Sequence, residues 1–150
     1  MAKKLAVIVS RALISLVLSW AAIAKLSDPS YTHIAIYQYQ LASWETAELI
    51  AAYLPWVELV TALGIWIPRI RLGASTLSTI LTVIFLSALI SAIARELDIT
   101  CGCFGARDSG AMLAPRLIQD FFLLVISLFL IKEDAASLDA QLHLSATTDN

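Results

Sequence analysis

Four long apolar stretches separated by shorter polar segments dominate the pattern of the chain. They fall at about residues 5–26, 47–67, 72–94 and 115–131. A helix needs roughly 20 mainly apolar residues to cross a hydrocarbon core of about 30 Å. The pattern therefore predicts an all-α fold, an integral membrane bundle of four helices. Pro115 suits the first turn of the fourth stretch, where its missing N–H would have no helical partner anyway. Pro55 falls inside the second and predicts a bend of the kind membrane helices tolerate.

The connections differ in kind. Only Pro68-Arg69-Ile70-Arg71 separates the second and third stretches, which makes those helices antiparallel neighbours. Residues 27–46 place Ile34, Tyr37, Leu41 and Trp44 at near-helical spacing, with Tyr31 and Tyr39 close by. That pattern predicts a short amphipathic helix in the interface, where aromatic rings prefer to sit. The third stretch carries Ser75, Ser78, Thr79, Thr82, Ser87 and Ser91. Small residues at such spacings let backbones approach closely in lipid, which predicts a place at the centre of the bundle. After Lys132 the chain turns polar, and residues 133–150 read as a mobile tail.

Composition sharpens this picture. The 150 residues are 59% hydrophobic and 15% charged, with a mean hydropathy of +0.81, against about 25% charged in ordinary soluble domains. A chain this small cannot hide so much apolar surface from water, so the lipid bilayer is its first partner. A net charge of −2 with scattered basic residues gives no footprint for nucleic acid.

Orientation follows from Lys and Arg. With both termini cytoplasmic, that side holds Lys3, Lys4, Arg69, Arg71 and Lys132, and the other holds Lys25, Arg95, Arg107 and Arg116. The expected place is a bacterial inner membrane, with the third connection, residues 95–114, facing the periplasm or exterior. Lys3-Lys4, the apolar run and Ala22-Ile23-Ala24 also have the features of a cleavable signal. The run is long for that and contains Arg11, so it reads as a span; cleavage would leave three spans in the same orientation.

The third connection holds both cysteines, in Thr100-Cys101-Gly102-Cys103-Phe104-Gly105. Gly102 permits the backbone angles a small disulfide ring demands. Such a ring is strained, and strained or exposed disulfides exchange readily. As a staple it would gain little, since the loop it closes is short. Two other readings stand beside the redox one. The thiols could be inert residues near a helix end, or could bind Cu(I) or Zn(II), though zinc sites usually want four ligands and the helpers are only His33 and the distant His143.

Charged residues inside spans are costly, and are paired or functional by default. Arg11 lies roughly 9 Å and Glu58 roughly 13 Å from the cytoplasmic ends of their helices at 1.5 Å per residue. These depths predict an Arg11–Glu58 ion pair that either pins two helices or lies near a quinone or proton route. A second polar group, Lys25, Asp28, Arg116 and Asp120, gathers at the outer surface. Arg116 and Asp120 share a helix face. Beside the cysteines, Arg116 would favour a thiolate; otherwise it snorkels to the surface.

Arg11, then Lys25-Leu26-Ser27-Asp28-Pro29, Glu58 and Cys101-Gly102-Cys103-Phe104-Gly105 together resemble the MauE family. These methylamine-utilisation membrane proteins are grouped with the wider DoxX-like four-helix proteins. The resemblance spans about the first 130 residues. It implies a redox-associated role in maturing a periplasmic protein, with a thioredoxin-like partner of the MauD type. The client it implies is the disulfide-rich small subunit of methylamine dehydrogenase. By the same resemblance Cys101 and Cys103 would be the exchanging thiols, with Arg11, Lys25 and Glu58 as family positions of unassigned role.

Two classes of function follow. The first is a membrane thiol–disulfide relay, passing electrons between a periplasmic partner and a second acceptor. A membrane quinone is one such acceptor by architectural analogy, although no group in the sequence identifies a pocket for it. The second is a non-catalytic assembly or export factor, with the Cys-Gly-Cys loop structural or metal-binding and the interfacial residues Tyr37 and Trp44 bearing the load. A transporter is disfavoured, because four short spans leave little room for a lined path.

Overall fold

The computed structural model describes residues 2–95 and 113–148. Among them are five helices: α1 (Ala2–Ser27), α2 (Pro29–Gln38), α3 (Trp44–Gly64), α4 (Arg71–Ala94) and α5 (Leu113–Thr148). By length and composition α1, α3 and α4 can cross a membrane. Their packing says the same. The buried positions are largely small, including Ala22, Ala47, Ala62 and Ala92, while Leu16, Trp20, Val60 and Leu63 point outward. Water would drive the large residues inward. Lipid is as apolar as leucine, so close helix contact through small residues decides which face is buried.

Local signals set the element boundaries. Asp28 caps α2, its Oδ1 accepting from the Tyr31 amide at 2.9 Å, and Pro29 opens the helix. Ser43 caps α3 in the same way, accepting from the Thr46 amide at 3.3 Å. The expected interfacial helix is thus shorter than its aromatic spacing implied. It ends at Gln38, Gln40 takes a left-handed φ of 52°, and Trp44 already belongs to α3. Thr32 and Ala35 face the bundle, whereas Ile34 and Tyr37 face out. Pro55 sits buried within α3, and Pro115 lies in the first turn of α5.

The helices pair antiparallel. Ser15 Oγ donates to the Ala62 carbonyl at 2.9 Å, and Trp66 Nε1 donates to Ser15 Oγ at 2.9 Å, which ties the middle of α1 to the end of α3. Ser75 meets Asp134, and Ser78 Oγ lies 3.4 Å from Ser127 Oγ, which aligns α4 against α5. Of the small polar residues of α4, Ser75, Ser78 and Thr82 are buried in the bundle, whereas Ser87 is exposed. Yet α3, which packs against α1, α2 and α4, is the more central helix. Rather than leaving the bundle at Ile131, α5 continues as helix to Thr148. At 1.5 Å per residue its 36 residues reach about 54 Å.

The α3–α4 hairpin turns on Gly64. A Cβ there would stand 3.0 Å from the Ala74 Cβ, which is fixed to its backbone and cannot swing away. Gly64→Ala should therefore cost about 1–3 kcal/mol by overpacking. At Gly73 nothing lies within 4 Å, so Gly73→Ala should be neutral or gain up to about 1 kcal/mol of helix propensity. Thermal melting of both variants in detergent micelles checks the contrast; equal melting temperatures would refute it.

Candidate functional site

Two buried polar centres lie at opposite ends of the bundle. The first joins α1 to α3. Lys25 Nζ donates to both carboxylate oxygens of Glu58, at 2.7 and 2.9 Å, with the side chains only 4% and 0% exposed. Helix side chains tilt toward their own N-terminus. In an antiparallel pair, Lys25 therefore leans inward from the end of α1, and Glu58 leans to meet it. Lys25 Nζ also stands 5.5 Å from the centre of the Phe85 ring, within cation–π range. Thr32 Oγ1 donates to the carbonyls of Asp28 and Lys25, at 3.1 and 3.4 Å, and so locks α2 across the end of α1.

The second centre surrounds Asp134. Arg11 donates to its Oδ1 at 2.5 Å, Ser75 to its Oδ2 at 2.7 Å, and Arg71 Nε lies 3.4 Å away. Arg71 also bonds Ser137. Asp134 is fully buried, and Lys3–Glu133 at 3.0 Å closes the outside of the cluster.

The expected Arg11–Glu58 pair is therefore replaced by two others. Depth alone suggested that pair, but direction decides against it. Arg11 tilts toward the start of α1, whereas Glu58 on the antiparallel helix tilts away from that end. Asp134 had no role in the sequence reading because it follows the last apolar stretch. The only signal was its spacing after Lys132-Glu133, an acidic residue one turn past the span.

Beside the first centre lies a partly open cavity of about 210 Å³. Its walls come from all five helices and include Lys25, Thr32, Tyr39, Leu54, Phe85 and Asp120. Of the predicted outer polar group, Lys25 and Asp120 thus share a cavity, and Asp28 serves as the α2 cap. Arg116 is half-buried near the start of α5. His33 stacks edge-on against Trp44 at 4.1 Å and bonds its carbonyl at 3.1 Å. Among the described residues no three His, Cys, Asp or Glu side chains converge as a metal set would. Cys101 and Cys103 lie outside the described residues.

The family model described as methylamine utilisation protein MauE matches residues 3–133. The chain belongs to the MauE family. No curated protein and no solved structure matches it. Membership links this MauE protein to methylamine utilisation and, with its three apolar helices, places it in a membrane. The matched region takes in the cysteine pair, Lys25 and Glu58, and ends one residue short of Asp134. For a MauE chain, the Lys25-Leu26-Ser27-Asp28-Pro29 exit from α1 thus has a physical reading. Lys25 supplies a buried charge to α3, and Asp28-Pro29 turns the chain into α2.

Proposed function

We propose that this protein is a thiol–disulfide relay of the bacterial inner membrane. It crosses the bilayer four times, α5 being the fourth span, with both termini cytoplasmic and the cysteine connection facing the periplasm. The apolar stretch at about residues 115–131, the shortest of the four, supports the fourth span. The Lys and Arg distribution supports the orientation, with Lys3, Lys4, Arg69, Arg71 and Lys132 on the cytoplasmic side against Lys25, Arg95, Arg107 and Arg116 on the outer side.

In this reading a thioredoxin-like partner of the MauD type attacks the Cys101–Cys103 disulfide with its dithiol. A mixed disulfide forms and resolves, leaving the partner oxidised and Cys101 and Cys103 as two thiols. The oxidised partner then passes its disulfide to a secreted, disulfide-rich client of the methylamine dehydrogenase small-subunit type. The observation that carries the proposal is the family match over residues 3–133, with Cys-Gly-Cys inside it.

Thiol trapping in intact cells with a membrane-impermeant, mass-tagging maleimide tests it. Labelling only after a reductant is expected for an outward disulfide; no labelling even after reduction would refute the orientation. Cys101→Ser or Cys103→Ser should abolish partner oxidation and leave the bundle's melting temperature unchanged. A double serine variant that still matures the client would sink the relay. It would favour the assembly-factor reading, which the outward Tyr37 and Trp44 rings, 5.2 Å apart, support.

A further inference from the structure

Much of the chain's chemistry is accounted for by pairing: Lys25 by Glu58, and Arg11 and Arg71 by Asp134. The cavity beside Lys25 is not. Its wall is mostly carbon, from Ile36, Leu54, Phe85 and Leu89 among others, and its rim includes the outward-facing Leu41, Ile50 and Ile84. In a membrane protein such a rim opens toward lipid, so an occupant arrives from the bilayer and must be lipid-soluble. The polar residues of the wall are few: Lys25, Thr32, Tyr39 and Asp120. An apolar wall with a few convergent polar groups is the usual make-up of a small-molecule site.

We infer that this cavity binds the ring of a membrane quinone. A plain acyl chain has nothing to offer a buried cation, whereas a quinone presents a flat apolar ring edged by carbonyl oxygens. The volume of about 210 Å³ is below the roughly 300–1,000 Å³ of sites that enclose drug-sized ligands. It takes the ring and leaves the isoprenoid tail in the lipid. Reduction places negative charge on the quinone oxygens. A fixed ammonium in a low-dielectric wall stabilises that charge more than water would. Phe85, already facing Lys25, supplies a ring for stacking.

The cavity also sits where the electrons would come from. The connection that carries Cys101 and Cys103 follows the end of α4 at Ala94, about one and a half turns beyond Leu89, and precedes the start of α5 at Leu113, about two turns before Asp120, both wall residues. Resting on the relay reading, the step is a two-electron exchange. The two thiols lose two electrons and two protons as the S–S bond forms; the quinone gains two electrons and two protons and leaves as quinol.

The test uses the full chain in lipid nanodiscs with a photoreactive azido-ubiquinone, competed by excess decylubiquinone. Because the cavity is built without the cysteines, the Cys101→Ser/Cys103→Ser protein should be labelled on peptides of α2 and α4, competably. Ala88→Phe, which fills the cavity from its wall, should cut that labelling at least ten-fold. Leu54→Trp does the same from α3, and each variant's melting temperature guards against misfolding. Ala12→Phe, on the outer face of α1, should leave it unchanged. Labelling spread over the outer face, or unmoved in both folded filled variants, would overturn the site. Cavity labelling with no quinol formed by the reduced wild-type chain would overturn the electron step while the binding site stands; the relay reading falls separately, if a reduced thioredoxin-like partner is not oxidised by the Cys101–Cys103 disulfide.

Discussion

Glu58→Ala should destabilise the protein by about 3–5 kcal/mol, the cost of stranding one member of a buried ion pair. The cause is the lysine left behind. Lys25 is 4% exposed and its ammonium bonds both Glu58 oxygens, so the variant must bury a bare cation or pull the end of α1 toward water. The second course also drags α2, which Thr32 ties to the Lys25 carbonyl. Replacing both partners with apolar residues of similar length, Lys25→Met with Glu58→Leu, removes the stranded charge and should recover most of the loss, since such swaps are often neutral or stabilising. Thermal melting in micelles reads both variants. A single variant that melts with the wild type would show that the pair bears no load. The double variant also separates brace from chemistry: a recovered fold with partner oxidation still lost means that Lys25 serves the reaction, and recovery of both means that it only pins the helices.

The contrast between what the chain announced and what it concealed has a physical origin. Apolar runs long enough to span lipid are a one-dimensional signal, so α1, α3 and α4 were legible, whereas the cap at Asp28 went unread because Asp28 was grouped with its charged neighbours. Which charges meet is a three-dimensional matter. Arg11 and Glu58 looked matched by depth, but depth ignores the tilt of helix side chains toward their own N-termini. That tilt sends Arg11 to Asp134 and Glu58 to Lys25. The aromatic spacing from Ile34 to Trp44 looked like one helix because a turn with a single left-handed residue, Gln40, preserves the rhythm of apolar positions while breaking the backbone. The cavity was illegible for a stronger reason. Five helices contribute to its wall, and no local pattern encodes a space that exists only after they pack. The family, by contrast, was readable, because the Cys-Gly-Cys string and the exit from α1 are local.

Asp134 carries the other large effect, in a segment that polarity alone marks as expendable. It is fully buried and accepts from Arg11 and Ser75, with Arg71 close by, so one carboxylate holds α1, α4 and α5 together. Asp134→Ala should cost about 3–5 kcal/mol, because two guanidinium groups lose their counter-charge at once. Asp134→Asn should cost less, since the amide oxygen still accepts one of these bonds. Ending the chain after Lys132 should match Asp134→Ala, although every residue of the apolar stretch remains. Ending it after Leu138 keeps Asp134 and Ser137 and should behave like the full chain. Melting temperatures and protease resistance of the four proteins in micelles decide the matter. If the chain ended at Lys132 proved as stable as the full protein, the cluster would be ornamental and α5 would be anchored by its apolar face alone. If it fell with Asp134→Ala, the bundle would end at the polar cluster and not at the last apolar residue.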